Sequence, residues 1–419
     1  MWTRLLPQQL PKSAFWHACI LGGCAFFLLS CGNSNDGTSG MTTIRFWHFW
    51  SEPSQRTTIQ GLVQEFERKY NVQVELTELS WNDGKTKLQA AFSSGAPPDV
   101  IELGSDWIAQ FSSAGVLLPL PFDSTVAHQF VPYSLAPALW QGRLYAYPWT
   151  IDTRVLYANR TLLDKAGWKG AIVSLDDMAR AAEMVKDHGA EGFGANGADV
   201  HRLYKKILPF MWTLGGDVID KKGNVVFNQP ANVAAFERYA ELARYGYIET
   251  QRQLDAAFLQ GKVALWISGS WMLPKIKASK NMSVEALLVP GVSGLPGLSF
   301  AGGEYLAVSA ATKNEQRSRE LVQFLTNGKQ ALALALKVPE AGFPADKSTS
   351  QSAELLSDPM KSVFATQLKH ARMTPVHPKW LEIEAILENA MVRVLLGDAT
   401  AQESLLMAQE EADALVNGS

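Results

Sequence analysis

Residues 42–103 read TTIRFWHFWSEPSQRTTIQGLVQEFERKYNVQVELTELSWNDGKTKLQAAFSSGAPPDVIEL. Three short segments in this stretch, Thr42–Trp47, Val72–Leu76 and Asp99–Leu103, have the apolar content and length typical of strands. Between the first two, apolar residues recur three or four positions apart after Pro53, which predicts a helix, and Lys85–Phe92 predicts a shorter one. Strand, helix, strand, helix, strand in this order indicates an open, mostly parallel α/β sheet.

Polar and aromatic residues follow each of these strands. Sheets of this class bind ligands beyond the carboxyl ends of their strands. A flat aromatic ring can pack on the C–H face of a sugar, and polar side chains can hold its hydroxyls. A single tryptophan is more often core packing, but three clusters at one sheet edge favour a carbohydrate site. The clusters are His48, Trp50, Ser51 and Glu52; Trp81, Asn82 and Asp83; and Gly104, Ser105, Asp106 and Trp107.

The amino terminus has the layout of an export signal. Arg4 and Lys12 precede a mostly apolar run that ends at Leu28-Leu29-Ser30-Cys31, and small polar residues follow to Gly40. We therefore predict a signal peptide over residues 1–30 and a flexible tether over 31–40. A cysteine at the cut resembles a bacterial lipoprotein signal, in which the thiol receives lipid, so Cys31 is the predicted lipidation site.

Two alternatives remain for this end of the chain. A second cut before Cys24 would leave an apolar segment on the mature end, which is unfavourable. An uncleaved membrane anchor would need about 20 apolar residues, and this run is shorter and contains His17. No later segment of the sequence is long and apolar enough to span a membrane.

Composition excludes several functional classes. The chain has 419 residues, 47% hydrophobic and 19% charged, with a net charge of −3. This length predicts two domains, and the absence of a basic stripe argues against nucleic-acid binding. All three cysteines lie in the first 31 residues, which excludes disulfides and thiolate metal sites from the rest. The histidines lack metal-ligand spacing, so we expect no metal and no cofactor.

Farther along, the α/β pattern continues. Gly142–Trp149 predicts a turn and a short strand, and Val263–Ile267 predicts another strand. Arg317–Lys337 and Lys379–Leu396 are strongly helical in pattern. The string Gly192–Gly197 formally matches a dinucleotide-binding fingerprint, but it follows a helical stretch and not a strand, so we interpret it as a chance match.

Four ordered stretches carry a family resemblance. The chain is similar to the extracellular solute-binding proteins of sugar ABC transporters, the group that includes maltose-binding protein, along essentially its whole length after the signal. The stretches are Gly95–Val100 with Phe111–Leu120, Gly142–Pro148 with Leu156–Leu163, Phe258–Trp271, and Gly302–Tyr305 with the helix that follows.

This resemblance implies a type II periplasmic-binding-protein fold of class α/β, with a ligand cleft between two lobes. The N-terminal lobe is expected over 41–150 plus 304–345, and the C-terminal lobe over 151–303 plus 346–419. The chain would cross between them near Thr150–Arg154, near Phe300–Tyr305 and around residues 340–350. Closure over the ligand would be a shift between open and closed populations.

The resemblance also implies a set of ligand-binding residues. Trp271 matches a sugar-stacking tryptophan, and Gly303 belongs to a glycine pair whose small size would let the ligand approach the backbone. Where maltose-binding protein has a stacking tryptophan we align Glu384. Either Trp380, one turn earlier, substitutes for that tryptophan or the subsite is absent, so maltose itself is not implied. The acidic residues disfavour an anionic ligand. The full set is Trp50, Ser51, Glu52, Asp106, Trp107, Trp149, Asp152, Tyr204, Trp271, Gly303, Glu304 and Trp380.

The expected function is reversible binding of a mono- or oligosaccharide, without chemistry, and its delivery to the permease of an ABC importer that has a separate ATPase. The protein would be a monomer, lipid-anchored in the periplasm or on the outer face of the cell membrane. One alternative is a lipid-anchored glycoside hydrolase, which needs two carboxyl groups about 5 to 9 Å apart, such as Asp152 and Glu304. Another is the same fold with a non-sugar solute.

Overall fold

The predicted strands and helices at the start of the chain are present in the computed structural model, which describes residues 41–199 and 202–417. The predicted signal peptide, tether and lipidation site at Cys31 lie outside these residues. The strands are β1 (Thr43–His48), β2 (Gln73–Glu78), β3 (Val100–Gly104), β4 (Leu139–Trp140), β5 (Arg143–Leu144), β6 (Ala146–Pro148), β7 (Thr150–Thr153), β8 (Val155–Asn159), β9 (Glu191–Asn196), β10 (Gly246–Glu249), β11 (Val263–Ser268), β12 (Val284–Leu287), β13 (Ser299–Gly302), β14 (Glu304–Val308), β15 (Phe343–Pro344) and β16 (Ala371–Arg372).

The α-helices connect and cover these strands. They are α1 (Pro53–Tyr70), α2 (Gly84–Ser93), α3 (Ile108–Ser113), α4 (Ser124–Gln129), α5 (Pro132–Leu135), α6 (Arg160–Lys165), α7 (Leu175–Asp187), α8 (Tyr204–Thr213), α9 (Pro230–Arg244), α10 (Gln251–Leu259), α11 (Leu273–Ala278), α12 (Glu315–Thr326), α13 (Gly328–Lys337), α14 (Ala353–Leu356), α15 (Pro359–Gln367), α16 (Trp380–Leu396) and α17 (Ala401–Asn417).

The first lobe is built on a five-stranded sheet in the order β2-β1-β3-β14-β6. β1 pairs in parallel with β2 and β3, as the sequence predicts, and β14 runs antiparallel to β3 and β6. Helix α1 buries Ile59, Leu62, Val63 and Phe66, the apolar positions that predicted it. Because Glu304 pairs with Gly104, residues 200 positions apart in the chain lie at one edge of this sheet.

The second lobe is built on a five-stranded sheet in the order β10-β9-β11-β8-β12. Its β9, β10 and β11 run parallel, and β8 is antiparallel to β11 and β12. A third sheet, β15-β7-β13-β16, links the lobes. Each predicted crossing contains a strand of this third sheet: β7, β13 and β15. The chain is thus a two-lobe α/β protein with a hinge of several strands.

Two sequence-based interpretations can be compared with the fold. The helical pattern predicted over Arg317–Lys337 is confirmed, and the structure divides it into α12 and α13 at Asn327. The Asn327 side chain accepts hydrogen bonds from the amides of Lys329 and Gln330 and so caps a new helix. The string Gly192–Gly197 lies mostly in the extended strand β9, which follows helix α7, so it has neither the turn nor the strand-to-helix context of a phosphate-binding loop.

Within residues 41–199 and 202–417, no helix has the length and apolar character needed to cross a membrane.

Candidate functional site

Glu304 and Trp149 meet at the edge of the first sheet. The Trp149 amide donates to the Glu304 carbonyl at 2.9 Å, and the Thr150 hydroxyl donates to Glu304 Oε2 at 2.8 Å. Burial raises the pKa of Glu304 to about 7, although the Thr150 hydrogen bond opposes this rise. The raised pKa favours the protonated form of Glu304, which can donate as well as accept a hydrogen bond.

Trp50 and Trp149 form an aromatic corner beside Glu304. Their rings are perpendicular, with centroids 6.3 Å apart, and Phe46 lies 6.4 Å from Trp149. Trp149 is fully buried and Trp50 is 8% exposed. The indole N–H of each is buried, and within the described residues it has no hydrogen-bond partner. Trp50 and Trp149, both predicted site residues, thus lie together, and each has an indole N–H group that can donate a hydrogen bond.

Asp106 and Tyr204 join the two lobes. Asp106 follows β3 of the first lobe, and Tyr204 begins α8, which packs against α9 in the second lobe. The Tyr204 hydroxyl donates to Asp106 Oδ2 at 2.8 Å, and Lys205 Nζ lies 3.8 Å from the same oxygen. Burial raises the pKa of Tyr204 well above its usual value, so the phenol stays neutral. Asp106 therefore accepts a hydrogen bond from a neutral phenol and forms an ion pair with a lysine, both from the opposite lobe.

Trp380 packs against Tyr204. Its ring meets the Tyr204 ring edge to face at 5.8 Å, and it is 1% exposed. The neighbouring Glu384 has a pKa raised well above its usual value, first by burial and then by the charges of Asp106 and Glu388. Asp106, Tyr204 and Trp380, all predicted site residues, are thus in one cluster. Nearer the surface, Arg202 donates to Asn82 at 3.0 Å, a second contact between the lobes.

Trp271 and Asp152 are connected through Arg154. Arg154 Nη1 lies 2.8 Å from Asp152 Oδ2, and the guanidinium carbon lies 4.5 Å from the centre of the Trp271 ring. The Trp271 N–H donates to Asp255 Oδ2 at 3.0 Å, which fixes the ring in its plane. The predicted stacking tryptophan is therefore held by a carboxylate at its edge and faces a cation, an arrangement that its sequence position did not reveal.

Trp107 belongs to a separate aromatic group. Phe49 stacks on Trp81 at 4.1 Å, and Trp107 lies 5.7 Å from Phe49 and 5.5 Å from Trp81. Trp81 is 43% exposed. This group brings together residues that follow all three parallel strands of the first sheet, as the strand-end pattern predicts.

Ser51, Glu52 and Gly303 have backbone roles in the structure. Glu52 is exposed and precedes α1, and its amide donates to Gln55 Oε1 at 3.2 Å. The Ser51 carbonyl accepts from Arg56 at 3.2 Å. A Cβ on Gly303 would lie 2.0 Å from the Thr150 carbonyl oxygen. Packing against the hinge strand is thus sufficient to require glycine at position 303, and binding by these three residues stays a prediction.

Sequence reasoning missed several charged residues of this region. Glu102 is fully buried in β3, where the Phe49 amide donates to its Oε2 at 2.8 Å. Burial, and next the charge of Glu304, raise the pKa of Glu102 well above its usual value. The sequence did contain a signal for Glu102, because it is an acidic residue inside an otherwise apolar strand. Arg154 and Lys205 gave no such signal, because only the fold brings them to aromatic rings.

The arrangement offers aromatic surfaces beside hydrogen-bonding groups. Of the acidic residues predicted to bind ligand, Asp152 is paired with Arg154 at 2.8 Å, and burial raises the pKa of Glu304 to about 7. Among the described residues, no group of three or more histidine, cysteine or acidic side chains is placed to hold a metal ion. The chemistry that these groups support is non-covalent binding of a polyhydroxylated solute.

Comparison with known proteins gives one consistent result. The family model for bacterial extracellular solute-binding proteins matches residues 61–361. A putative binding protein of Brucella abortus is 24% identical and covers 96% of this chain and 98% of its own. A galactooligosaccharide-binding protein of Bacillus subtilis is 25% identical and covers 87% of each chain.

A solved structure is similar along nearly the whole chain. The GacH receptor of Streptomyces glaucescens, determined unliganded and in complex with acarbose and an acarbose homolog, superposes with a TM-score of 0.79. It is 25% identical and covers 90% of this chain and 99% of its own.

Proposed function

This chain belongs to the bacterial extracellular solute-binding protein family, and we propose that it binds a neutral mono- or oligosaccharide reversibly and delivers it to the permease of an ABC importer. The observation that carries the proposal is the contact of Asp106 with Tyr204 and Lys205 from the opposite lobe, next to Trp380. A solute held there would touch both lobes and so favour their closed arrangement.

The choice of a sugar as solute rests on side-chain chemistry and on relatives. Aromatic rings flank hydrogen-bonding groups at three places that we assign to the cleft: Trp50 with Trp149, Trp380 with Tyr204, and Trp271 with Arg154. This combination suits the apolar faces and hydroxyl rims of sugar rings. The galactooligosaccharide-binding relative and the acarbose-binding receptor support the same solute class. The ligand residues are those expected from the sequence, with Arg154 and Lys205 added.

We further propose that the protein has no hydrolytic activity. A glycoside hydrolase needs one protonated and one charged carboxyl group that face the same glycosidic bond. The Asp152 carboxylate is held by Arg154 at 2.8 Å, and that guanidinium also lies over the Trp271 ring, so this carboxylate is engaged by a cation and does not serve as a nucleophile or base. A solute-binding family also gives no reason to expect a reaction.

The location and partners follow from the proposed transport role. The protein would be anchored by lipid on Cys31, with Cys24 as the alternative, in the periplasm or on the outer face of the cell membrane. Its partners would be the permease with its ATPase, and it would act as a monomer. The lobe boundaries at 150/151, 303/304 and 345/346 are part of the same proposal. A tether of about ten residues would raise the effective concentration at the permease.

Titration of intrinsic tryptophan fluorescence with a sugar panel tests the proposal. The panel would contain maltose, galacto-oligosaccharides, chitobiose and their monosaccharides, with amino acids and short peptides as controls. Saturable response to at least one sugar and none to the controls is expected. A response to amino acids or peptides alone would contradict the proposal. Incubation with the bound sugar, followed by chromatography, should recover that sugar intact; hydrolysis would favour the enzyme alternative.

A further inference from the structure

An open groove on the first lobe carries an excess of positive charge. It lies between the C-terminal end of α1 and the junction of α12 with α13, and its volume is about 620 Å³. Arg68, Lys69 and Lys329 line it together with one carboxylate, that of Glu65. We call it the α1 groove. The whole chain has a net charge of −3, so this is a basic surface on a protein that is acidic overall.

The three cations of the α1 groove are exposed and are not neutralised by carboxylates. In the described part of the chain, Arg68, Lys69 and Lys329 form no ion pair, whereas Arg317 on the neighbouring helix is paired with Glu320 at 2.5 Å. Their charges are therefore available to an anion from outside the molecule.

Helix stability explains only part of this charge. Arg68 and Lys69 lie in the last turn of α1, where cations interact favourably with the helix dipole. Lys329 lies in the first turn of α13, where a cation opposes that dipole. The placement of Lys329 beside the other two cations therefore has to be explained by something other than the stability of its own helix.

The α1 groove lies at the end of the lobe where the described chain begins. The Gln73 amide donates to the Thr42 carbonyl at 2.9 Å. Gln73 begins β2, three residues after the last residue of α1. The first described residues therefore lie beside the helix turn that carries Arg68 and Lys69.

The proposed lipid anchor would keep this end of the lobe near a bilayer. The predicted tether between Cys31 and the described chain is Gly32–Gly40. Nine residues span at most about 32 Å when extended, and about 17 Å on average as a flexible chain. The surface within reach carries the phosphate groups of phospholipids, so the tether and the unneutralised cations indicate the same partner.

We propose that the α1 groove docks on anionic phospholipid headgroups of the membrane that holds the lipid anchor. The inference goes beyond the proposed transport function and rests on the anchor that is part of it. The residues proposed to bind sugar follow the carboxyl ends of β1, β2 and β3, at the opposite end of these strands from Thr42. Docking would therefore turn that edge of the lobe toward the solution, where solute is captured.

The docked orientation has to be reversible. Delivery to a permease within the membrane requires the sugar-binding edge to turn toward the bilayer. Each surface lysine or arginine strengthens binding to an anionic membrane roughly fivefold, so three cations provide a contact that holds the protein and still releases it.

Energy transfer from the protein to the bilayer tests this orientation. Cys31 is the sole cysteine left after the predicted cut, and its thiol would carry the lipid. Gln64→Cys, at an exposed position of α1, therefore accepts a single fluorescent donor beside the groove. The lipidated protein would be placed in vesicles that contain an acceptor lipid, made either of phosphatidylcholine alone or with about 30% phosphatidylglycerol. Transfer should be at least twofold higher in the anionic vesicles at about 50 mM salt, and this difference should vanish at about 0.5 M.

Two double variants separate the groove from net charge. In the Gln64→Cys background, Arg68→Gln/Lys329→Gln should remove the difference between the two kinds of vesicle. Lys221→Gln/Lys262→Gln is the matched control, because it removes two exposed positive charges from the second lobe; it should give the same transfer as the unmodified groove. Sugar affinity and melting temperature, measured on both variants, should show that they fold and bind as the wild type does.

The other outcomes overturn the inference. Equal transfer in both kinds of vesicle, or a difference that Arg68→Gln/Lys329→Gln retains, would mean that the cations serve only the helices and the solvent. Loss of the difference in both double variants would assign it to net charge and not to the groove. A wild-type protein without lipid would also overturn the inference, because nothing would then hold the groove at a bilayer. Failure to bind any sugar would instead refute the proposed sugar-binding function, and the transfer measurement would still decide the orientation, so the two failures are distinguishable.

Discussion

The hydroxyl of Tyr204 donates a 2.8 Å hydrogen bond to Oδ2 of Asp106, 98 residues earlier in the chain. Asp106 follows a strand of the first lobe, and Tyr204 begins a helix of the second. Because the bond joins the two lobes, it should stabilise the closed arrangement that holds the ligand.

Tyr204→Phe should therefore weaken sugar binding. A hydrogen bond to a charged group contributes about 1.5 to 3 kcal/mol, so we expect the dissociation constant to rise roughly 10- to 100-fold. Calorimetry would measure the affinity, and small-angle scattering would show whether the two lobes close. Tyr239→Phe is the control, since its hydroxyl bonds the Asn196 carbonyl within the second lobe; it should lower stability and leave affinity unchanged. Equal affinities in Tyr204→Phe and wild type would show that the contact does not affect closure.

Trp271→Ala should reduce sugar affinity severely, by tenfold or more, while the fold survives, because the residue is only partly buried. Asp255→Asn should cause a smaller loss, since Asp255 holds the Trp271 ring through its N–H. Circular dichroism would verify that the variants fold, and fluorescence titration would measure their affinity. If Trp271→Ala binds like the wild type, the ring serves only to pack against Arg154.

The Asp152–Arg154 pair allows a test of charge balance. Both side chains are mostly buried, 13% and 11% exposed. Arg154→Met would leave the Asp152 carboxylate without its cation, and we expect about 3 kcal/mol loss in the free energy of unfolding. The double variant Asp152→Asn/Arg154→Met should recover most of that loss, because no buried charge remains. Urea denaturation measures both. Additive effects of the two substitutions would show that the residues are not coupled.

The raised pKa of Glu304 predicts that the stability of the protein depends on pH. Its pKa rises from 4.5 to about 7 on folding, so between these values the folded protein holds a proton that the unfolded chain has released. The free energy of unfolding should fall as pH increases through this window, by up to about 3 kcal/mol. The free energy of unfolding of Glu304→Gln minus that of the wild type should be about 3 kcal/mol larger at pH 8 than at pH 5. Denaturation at both pH values tests this, with the exposed Glu354→Gln as control. A pH-independent difference would contradict it.

The proposed lipid anchor is tested in a bacterial host by labelling with a radioactive fatty acid. The wild type should carry label and sediment with membranes. Cys31→Ala should lose the label and leave the membrane fraction, whereas Cys24→Ala should retain both. The reverse result for the two variants would assign the lipid to Cys24, and no label in the wild type would refute the anchor.

Much of the fold could be predicted because its signals are local. Strands β1 to β3 and helix α1 follow from apolar spacing within a few residues, and the strand ends identify one edge of the sheet as the region of interest. The sequence pattern did not indicate that the helical stretch divides at Asn327, because Asn and Gly are tolerated within a helix. The division depends on the Asn327 side chain, which caps the second helix.

The sequence by itself determined the α/β class, the first three parallel strands, the resemblance to solute-binding proteins and the candidate aromatic and acidic residues. Only the tertiary structure decided which residues meet: Arg154 with Trp271, and Lys205 and Tyr204 with Asp106. The physical reason is that strand and helix formation depend on nearest neighbours, whereas burial, charge pairing and shifted pKa values depend on segments that are distant in the chain and close in space.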